Sequence, residues 1–182
     1  MSAPLRRARP LAAAVALVAA TPAAALEPRF DHRDTPGPFA ESLLSYDAVA
    51  RPGATTATGW RTRLHAGWGF DVSGEGDDLL FGAAVAVPWL HDPDRMKLLL
   101  DVDARYRGYF GTEQLKTFFD VGAWAPLVSR LAIGPLVGIG VAWDYGRSGG
   151  VYAGASFATA FGQARIASLS VSAGAQFRFE VP

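Results

Sequence analysis

The chain has 182 residues, 17 basic and 17 acidic side chains, and no cysteine. That length fits one domain, and the missing cysteine removes disulfides, thiolate metal sites and a lipid-anchored N-terminal cysteine together. A balanced net charge leaves no basic patch for nucleic acid, so nucleic acid is not an expected partner.

Residues 1–25 read as a secretory signal peptide. Arg6, Arg7 and Arg9 form a basic start, Leu11 to Ala20 is an apolar run, and Ala23-Ala24-Ala25 supplies small residues for cleavage near Ala25. The apolar run is about half the roughly 20 residues needed to span a bilayer as a helix, and no later stretch is long and charge-free enough to do so. Cleavage removes three arginines and no acid, which turns the mature chain slightly acidic. Residues 26–38, with Pro28, Pro36 and Pro38, read as an extended N-terminal segment, and residues 39–182 as the folded domain.

Phe39 to Ala50 is expected to form a first strand, with Ala40, Ser42, Leu44, Tyr46, Ala48 and Ala50 on one face. Glu41 and Asp47 then lie on the other, beside Arg61 and Arg63 of the next strand. A short helix is the alternative, because Ala-Glu-Ser-Leu-Leu is a weak strand former. From residue 60 the chain divides into stretches of period-2 alternation separated by turns rich in Gly, Asp, Pro and Ser, the signal for an antiparallel meander. Strands are expected at 60–71, 79–90, 96–109, 115–126, 131–144, 151–162 and 166–179, joined by turns such as Ser73 to Asp78, His91 to Arg95 and Gly146 to Gly150. The longest connection is expected to be the nine residues from Arg51 to Gly59, which speaks against a function carried on long loops. Pro126 and Pro135 cannot donate to a ladder, so the strands flanking residues 127–130 are expected to fray.

Alternate residues share a face, and the two faces differ sharply. One reads Trp60, Leu64, Trp68 and Phe70, then Phe81, Val85, Val87 and Trp89, and continues to the end of the chain with Leu, Val, Ile, Ala, Thr and aromatics and no ionisable side chain. The other carries Arg61, Arg63, His65, Lys97, Asp101, Asp103, Arg105, Arg107, Lys116, Asp120 and Arg178 among many Gly, Ala and Ser. A soluble barrel turns its bulky apolar face inward. Here the small residues accompany the charges, which suits a narrow polar lumen inside a lipid-facing exterior. Closure is then required, since lipid satisfies no strand edge. Aromatics near strand ends, including Trp60, Phe70, Phe81, Trp89, Tyr106, Tyr109, Trp143 and Phe161, are placed to form interfacial girdles.

The last strand alternates Ser170, Ser172, Gly174, Gln176 and Arg178 against Val171, Ala173, Ala175, Phe177 and Phe179. Ser172, Gly174, Phe177 and Phe179 resemble the C-terminal membrane-insertion signal of small bacterial outer-membrane β-barrel proteins of the porin superfamily, the OmpA- or OmpX-like barrels. The pattern departs in that Glu180, Val181 and Pro182 follow the final aromatic. The resemblance implies an all-β, antiparallel up-and-down transmembrane β-barrel of eight strands in the cell outer membrane of a Gram-negative host. Its implied partners are outer-membrane lipid and the barrel assembly machinery.

Eight strands enclose an interior that side chains can fill. The expected function is therefore a non-enzymatic barrel with a polar, largely plugged lumen that serves envelope structure or interaction. In this plug Arg105, Arg107, Lys97 and Lys116 pair with Asp101, Asp103, Asp120, Glu41 and Asp47, because buried charges are tolerated when paired. Three alternatives stand beside it: a narrow channel or pocket for a small anionic solute, with Arg61 and Arg63 pointing into space left by Gly138 and Gly140; a lipid-modifying hydrolase built from His65 with Ser168, Ser170 or Ser172; and a secreted soluble barrel that binds a ligand. A serine nucleophile needs a base within hydrogen-bond reach, and no local motif ties these residues together. His65 is more simply a partner of an Asp or Tyr in the plug. The acidic turn Glu75 to Asp78 and the cluster His91 to Asp94 lack the ligand spacing of a metal site. No cofactor is expected.

Overall fold

The computed structural model describes residues 36–72, 77–90, 98–111, 114–127, 132–145, 149–162 and 165–179. The signal peptide, most of the N-terminal segment, Lys97 and the His91 to Asp94 cluster lie outside them. Eight strands follow one another: β1 Gly37–Ala50, β2 Ala57–Asp71, β3 Asp78–Leu90, β4 Leu99–Phe110, β5 Leu115–Pro126, β6 Ala132–Asp144, β7 Gly149–Gly162 and β8 Ile166–Arg178. Each pairs antiparallel with its neighbours in sequence, and β1 also pairs with β8, from Phe39 opposite Arg178 to Ala50 opposite Ala167. The sheet is a closed barrel. Both ends of the described chain lie at one end, here termed the terminal end, together with the turns after β2, β4 and β6. The distal end carries the turns after β1, β3, β5 and β7.

The first strand shows why closure overrides local propensity. In β1 every second residue from Gly37 to Val49 is buried, and its backbone is paired along both edges. A helix here would leave β2 and β8 each with an open edge.

Several boundaries differ from the sequence reading, and β1 begins at Gly37, two residues inside the segment read as an extended lead-in. β2 starts at Ala57, which shortens the first connection to residues 51–56 and makes residues 91–98 the longest. Leu98 precedes β4 rather than lying within it. Gly149 and Gly150, read as turn, instead open β7 opposite Phe177 and Gln176, and Gly150 leaves room for the Asp144 carboxylate. Pro126 is the last residue of β5, whereas Pro135 lies inside β6. There β6 keeps its pairing to β5 intact, while the β6 to β7 register resumes at Leu136 after Ile133. The missing donor of Pro135 points toward β7, where the ladder is interrupted.

The outer surface is apolar. Leu64, Val87, Leu100, Val121, Val137, Ile139, Val141, Leu169 and Val171 are all exposed on it. Aromatic rings gather near both ends. Tyr46 meets Trp60 edge-on at 5.4 Å toward the distal end, and Phe70 meets Phe81 at 6.1 Å toward the terminal end. Phe119 lies between Tyr106 and Phe110, and its ring covers Gly108, where an added Cβ would come within 2.2 Å of it. A glycine covered by a cross-strand aromatic ring is a recurrent device for keeping a strand regular where it lacks a side chain. Tyr109, expected in this girdle, instead packs against the lumen cluster of Leu43, Phe118, Ala142 and Tyr152, because it shares the parity of Arg105 and Arg107.

Candidate functional site: the barrel lumen

The inward residues form layers along the barrel. At the distal end Val49, Trp124, Ala132, Leu136, Ala158, Ala160 and Ile166 make an apolar cap, with Leu99 packed against it. This cap is absent from the sequence reading. Its signal was Trp124, an inward residue too large for the small-walled lumen inferred from the glycines and serines.

Below the cap, Arg61 Nη1 lies 3.3 Å from Asp47 Oδ2, and Ser170 Oγ donates to Asp47 Oδ1 at 2.6 Å. Arg63 Nη2 donates to Asp101 Oδ1 at 2.5 Å and to Asp103 Oδ2 at 3.4 Å. The β2 arginines thus pair with β1 and β4 and do not occupy the space beside Gly138 and Gly140. The ring of Phe118 fills the space at Gly140, approaching within 2.5 Å of where a Cβ would stand, whereas the side chains nearest Gly138 are those of Asp120 and Ser156.

The centre of the lumen is built around Glu41, which is 4% exposed. Arg105 Nη2 donates to Glu41 Oε2 at 2.7 Å, and Arg107 Nη1 donates to Oε1 at 3.3 Å. Arg107 also grips Asp120 through two bonds, Nε to Oδ1 at 2.7 Å and Nη2 to Oδ2 at 2.9 Å. This forked geometry fixes the guanidinium plane as well as its charge. The same guanidinium carbon sits 4.4 Å from the Phe118 ring centroid and 5.3 Å from that of Tyr152, adding cation–π attraction. His65 lies between two carboxylates: Nδ1 is 2.8 Å from Glu41 Oε2, and Nε2 is 3.2 Å from Asp103 Oδ2. Sequence reading placed Glu41 beside Arg61 and Arg63. The register instead sets it opposite His65, so that it reaches across the barrel to β4.

At the terminal end Lys116 Nζ lies 3.7 Å from Asp144 Oδ2, and Arg178 Nη2 lies 2.8 Å from Asp78 Oδ1. Both aspartates went unnoticed in the sequence, Asp78 because it was read as part of a solvated acidic turn. Asp77 of the same turn accepts bonds from the Tyr106 hydroxyl at 2.5 Å and the Tyr109 amide at 3.0 Å. These carboxylates tie the turn to the barrel. Ser172 and Gly174 of the C-terminal segment face the lumen, with Phe177 and Phe179 on the outward parity. An added Cβ on Gly174 would come within 2.0 Å of the Ser42 carbonyl oxygen, so this glycine permits close approach of β8 to β1.

Chemically, the arrangement neutralises charge and holds few mobile groups. His65 faces Glu41, Asp103 and Arg105, whereas Ser170 donates to Asp47; the contacts at the histidine therefore join acids and a cation rather than a nucleophile and its base. Among the described residues, cavities in the lumen include three of about 30, 50 and 30 Å³. The middle one lies between Arg63, His65 and Arg105 on one side and Ser156, Ser170 and Ser172 on the other. A water needs roughly 10–15 Å³ measured in this way, so each holds a few waters at most.

The fit around His65 gives a first test. A Cβ on Gly82 would lie 2.1 Å from His65 Nε2 and 3.0 Å from the Ala66 carbonyl oxygen, whereas one on Gly138 would have nothing nearer than 3.4 Å. Gly82→Ala is therefore expected to destabilise the barrel by about 1–3 kcal/mol, the usual cost of overpacking, and Gly138→Ala by much less. Urea titrations of the folded protein in lipid vesicles measure both.

A closed eight-stranded meander with charges inside and apolar residues outside has the fold of the small outer-membrane β-barrels. The crystal structure of Neisserial surface protein A matches it with a TM-score of 0.57 at 16% identity, over 80% of this chain and 99% of that one. The N-terminal β-barrel domain of Pseudomonas aeruginosa OprF matches with a TM-score of 0.50 at 10% identity, over 76% of this chain and 97% of that domain. No protein-family model and no curated protein matches the chain. At these identities the likeness is one of fold.

Proposed function

We propose that the chain is a non-enzymatic outer-membrane barrel whose interior is a solid polar core, serving the envelope as structure or as a surface for interaction. The observation that carries this reading is the central network of Glu41, His65, Asp103, Arg105, Arg107 and Asp120. It spans the lumen and divides what space remains into pockets of a few waters. The apolar cap beneath the distal turns supports it further. Ser172, Gly174, Phe177 and Phe179 serve, on this reading, as the segment that the assembly machinery recognises after signal-peptide cleavage near Ala25.

Two measurements test it. Expressed with its signal peptide in a Gram-negative host, the protein is expected in the outer-membrane fraction, with a gel mobility that shifts on boiling. A soluble periplasmic product without that shift would make it a secreted ligand-binding barrel. In planar bilayers the purified protein is expected to show no discrete conductance steps. Two of the cavities share Ser45, Ser156, Ser170 and Arg63 in their linings and so succeed one another along one side of the lumen, which favours a narrow anion channel as the second reading. Steps that shrink when Arg105 and Arg107 are replaced would install that reading instead.

A further inference from the structure

The two ends of the barrel differ in charge. By sequence, the distal connections carry Arg51, Arg95, Lys97, Arg130 and Arg165 against Asp92 and Asp94, whereas the turns after β2, β4 and β6 carry Glu75, Asp77 and Glu113 against Arg147. Arg51 and Arg165 belong to the described residues, and both are exposed. They flank the seam between β1 and β8. Ala50, which precedes Arg51, pairs with Ala167, two residues after Arg165. Asp47, the inward acid nearest this rim on β1, is already engaged by Arg61 and Ser170.

The surface next to this pair of cations is equally specific. The outward positions just inside the rim at the seam are Ala50 and Ala167, paired with each other, and then Ala48 opposite exposed Leu169, so the alanines form a shallow trough bounded on β8 by Leu169. Trp60, edge-on to Tyr46, borders the trough on β2, and exposed Phe161 borders it on β7. Cations at the edge of an apolar band, with small residues below and aromatic rings to either side, complement an amphiphile that has an anionic head and hydrocarbon tails.

We propose that the distal rim around Arg51 and Arg165 docks the phosphate of a membrane lipid, whose acyl chains lie over the β1 and β8 seam. The inference rests on the membrane-barrel reading above. It also orients the molecule, with the distal end in the leaflet richer in lipid phosphate and the terminal end toward the other. Two arginines held at an anionic surface give a preference on the order of tenfold over a zwitterionic lipid, weakened by salt.

The test uses the folded full-length protein in phosphatidylcholine vesicles that contain equal amounts of either bromine-labelled phosphatidylglycerol or bromine-labelled phosphatidylcholine. Bromine quenches tryptophan on contact, and subtracting the signal of Trp60→Phe isolates the rim. Stronger quenching of the rim by the anionic lipid is expected. The preference should disappear in Arg51→Ala/Arg165→Ala and persist in Arg51→Lys/Arg165→Lys, which keeps both charges. Equal quenching by the two lipids in the unsubstituted protein, or an unchanged preference in the alanine pair, would overturn the proposal. Abolition of the preference by inorganic phosphate, with no such loss in sodium chloride of equal ionic strength, would also overturn it, assigning the site to a free anion. A mobility shift on boiling is read on each sample. Its absence in the unsubstituted protein would instead overturn the membrane reading on which this inference stands.

Discussion

Glu41→Gln is expected to destabilise the folded barrel by about 3–5 kcal/mol, the usual cost of removing one partner from a buried ion pair. The side chain is 4% exposed and receives Arg105, Arg107 and His65 from two other strands. Glutamine keeps the shape and one acceptor but removes the charge at the 2.7 Å contact with Arg105, whose remaining carboxylates, Asp103 and Asp120, lie at 3.6 and 3.5 Å. The loss stems from stranded cations, so it should shrink when a cation is removed as well. A double-mutant cycle with Arg105→Met, which keeps most of the apolar stem, is expected to recover part of the cost, and the coupling measures the pair itself. Urea titration in vesicles, followed by the fraction that keeps its unboiled mobility, gives both numbers. A Glu41→Gln protein as stable as its parent would mean that the central network is not what fills the lumen.

The second large effect belongs to the outer face. Ile139, 68% exposed, stands near the middle of β6. Ile139→Arg is expected to cost about 2–4 kcal/mol in a bilayer, and Ile133→Arg, near the distal end of the same strand, only about 0–1 kcal/mol. For a barrel dissolved in water both substitutions would be surface changes within roughly 0.5 kcal/mol. A depth-dependent penalty along one strand is therefore a signature of lipid around the barrel, and equal small effects at the two positions would remove the outer membrane from the account.

Much of this architecture is written in the alternation of the chain. Period 2 assigns a face to every residue of a strand, and a lipid-facing strand tolerates no charge, so the positions of Arg61, His65, Asp103, Arg105 and Arg107 follow from parity alone. Parity does not reveal who meets whom. Glu41 reaches Arg107, 66 residues away, because of the stagger of β1 against β2 and the width of the barrel, neither of which leaves a local mark. The same limit explains Lys116, at the start of β5, which meets Asp144 at the end of β6, and Asp78, whose partner Arg178 lies on the last strand. Strand starts such as Ala57 and Gly149 were harder still. Gly59 and the glycines at 149 and 150 have turn character by themselves and become strand through the partners that register supplies. The distal cap was missed because inward apolar residues are scarce enough, one or two per strand, to pass for interruptions in a polar face.

Seven of the eight strand junctions join elements that are consecutive in the chain, and the eighth joins its two ends. The local hairpins lose little chain entropy in forming, whereas bringing Phe39 to Arg178 closes a loop of nearly the whole domain. Assembly then has a natural order, in which a curled sheet grows by hairpins and the last step is a zipper between its two free edges. Gly174 stands in that zipper, where a side chain would collide with the β1 backbone at Ser42. A bulky residue there would leave seven junctions intact and the eighth ajar, trapping a sheet that is fully formed yet still open to other strands along both edges.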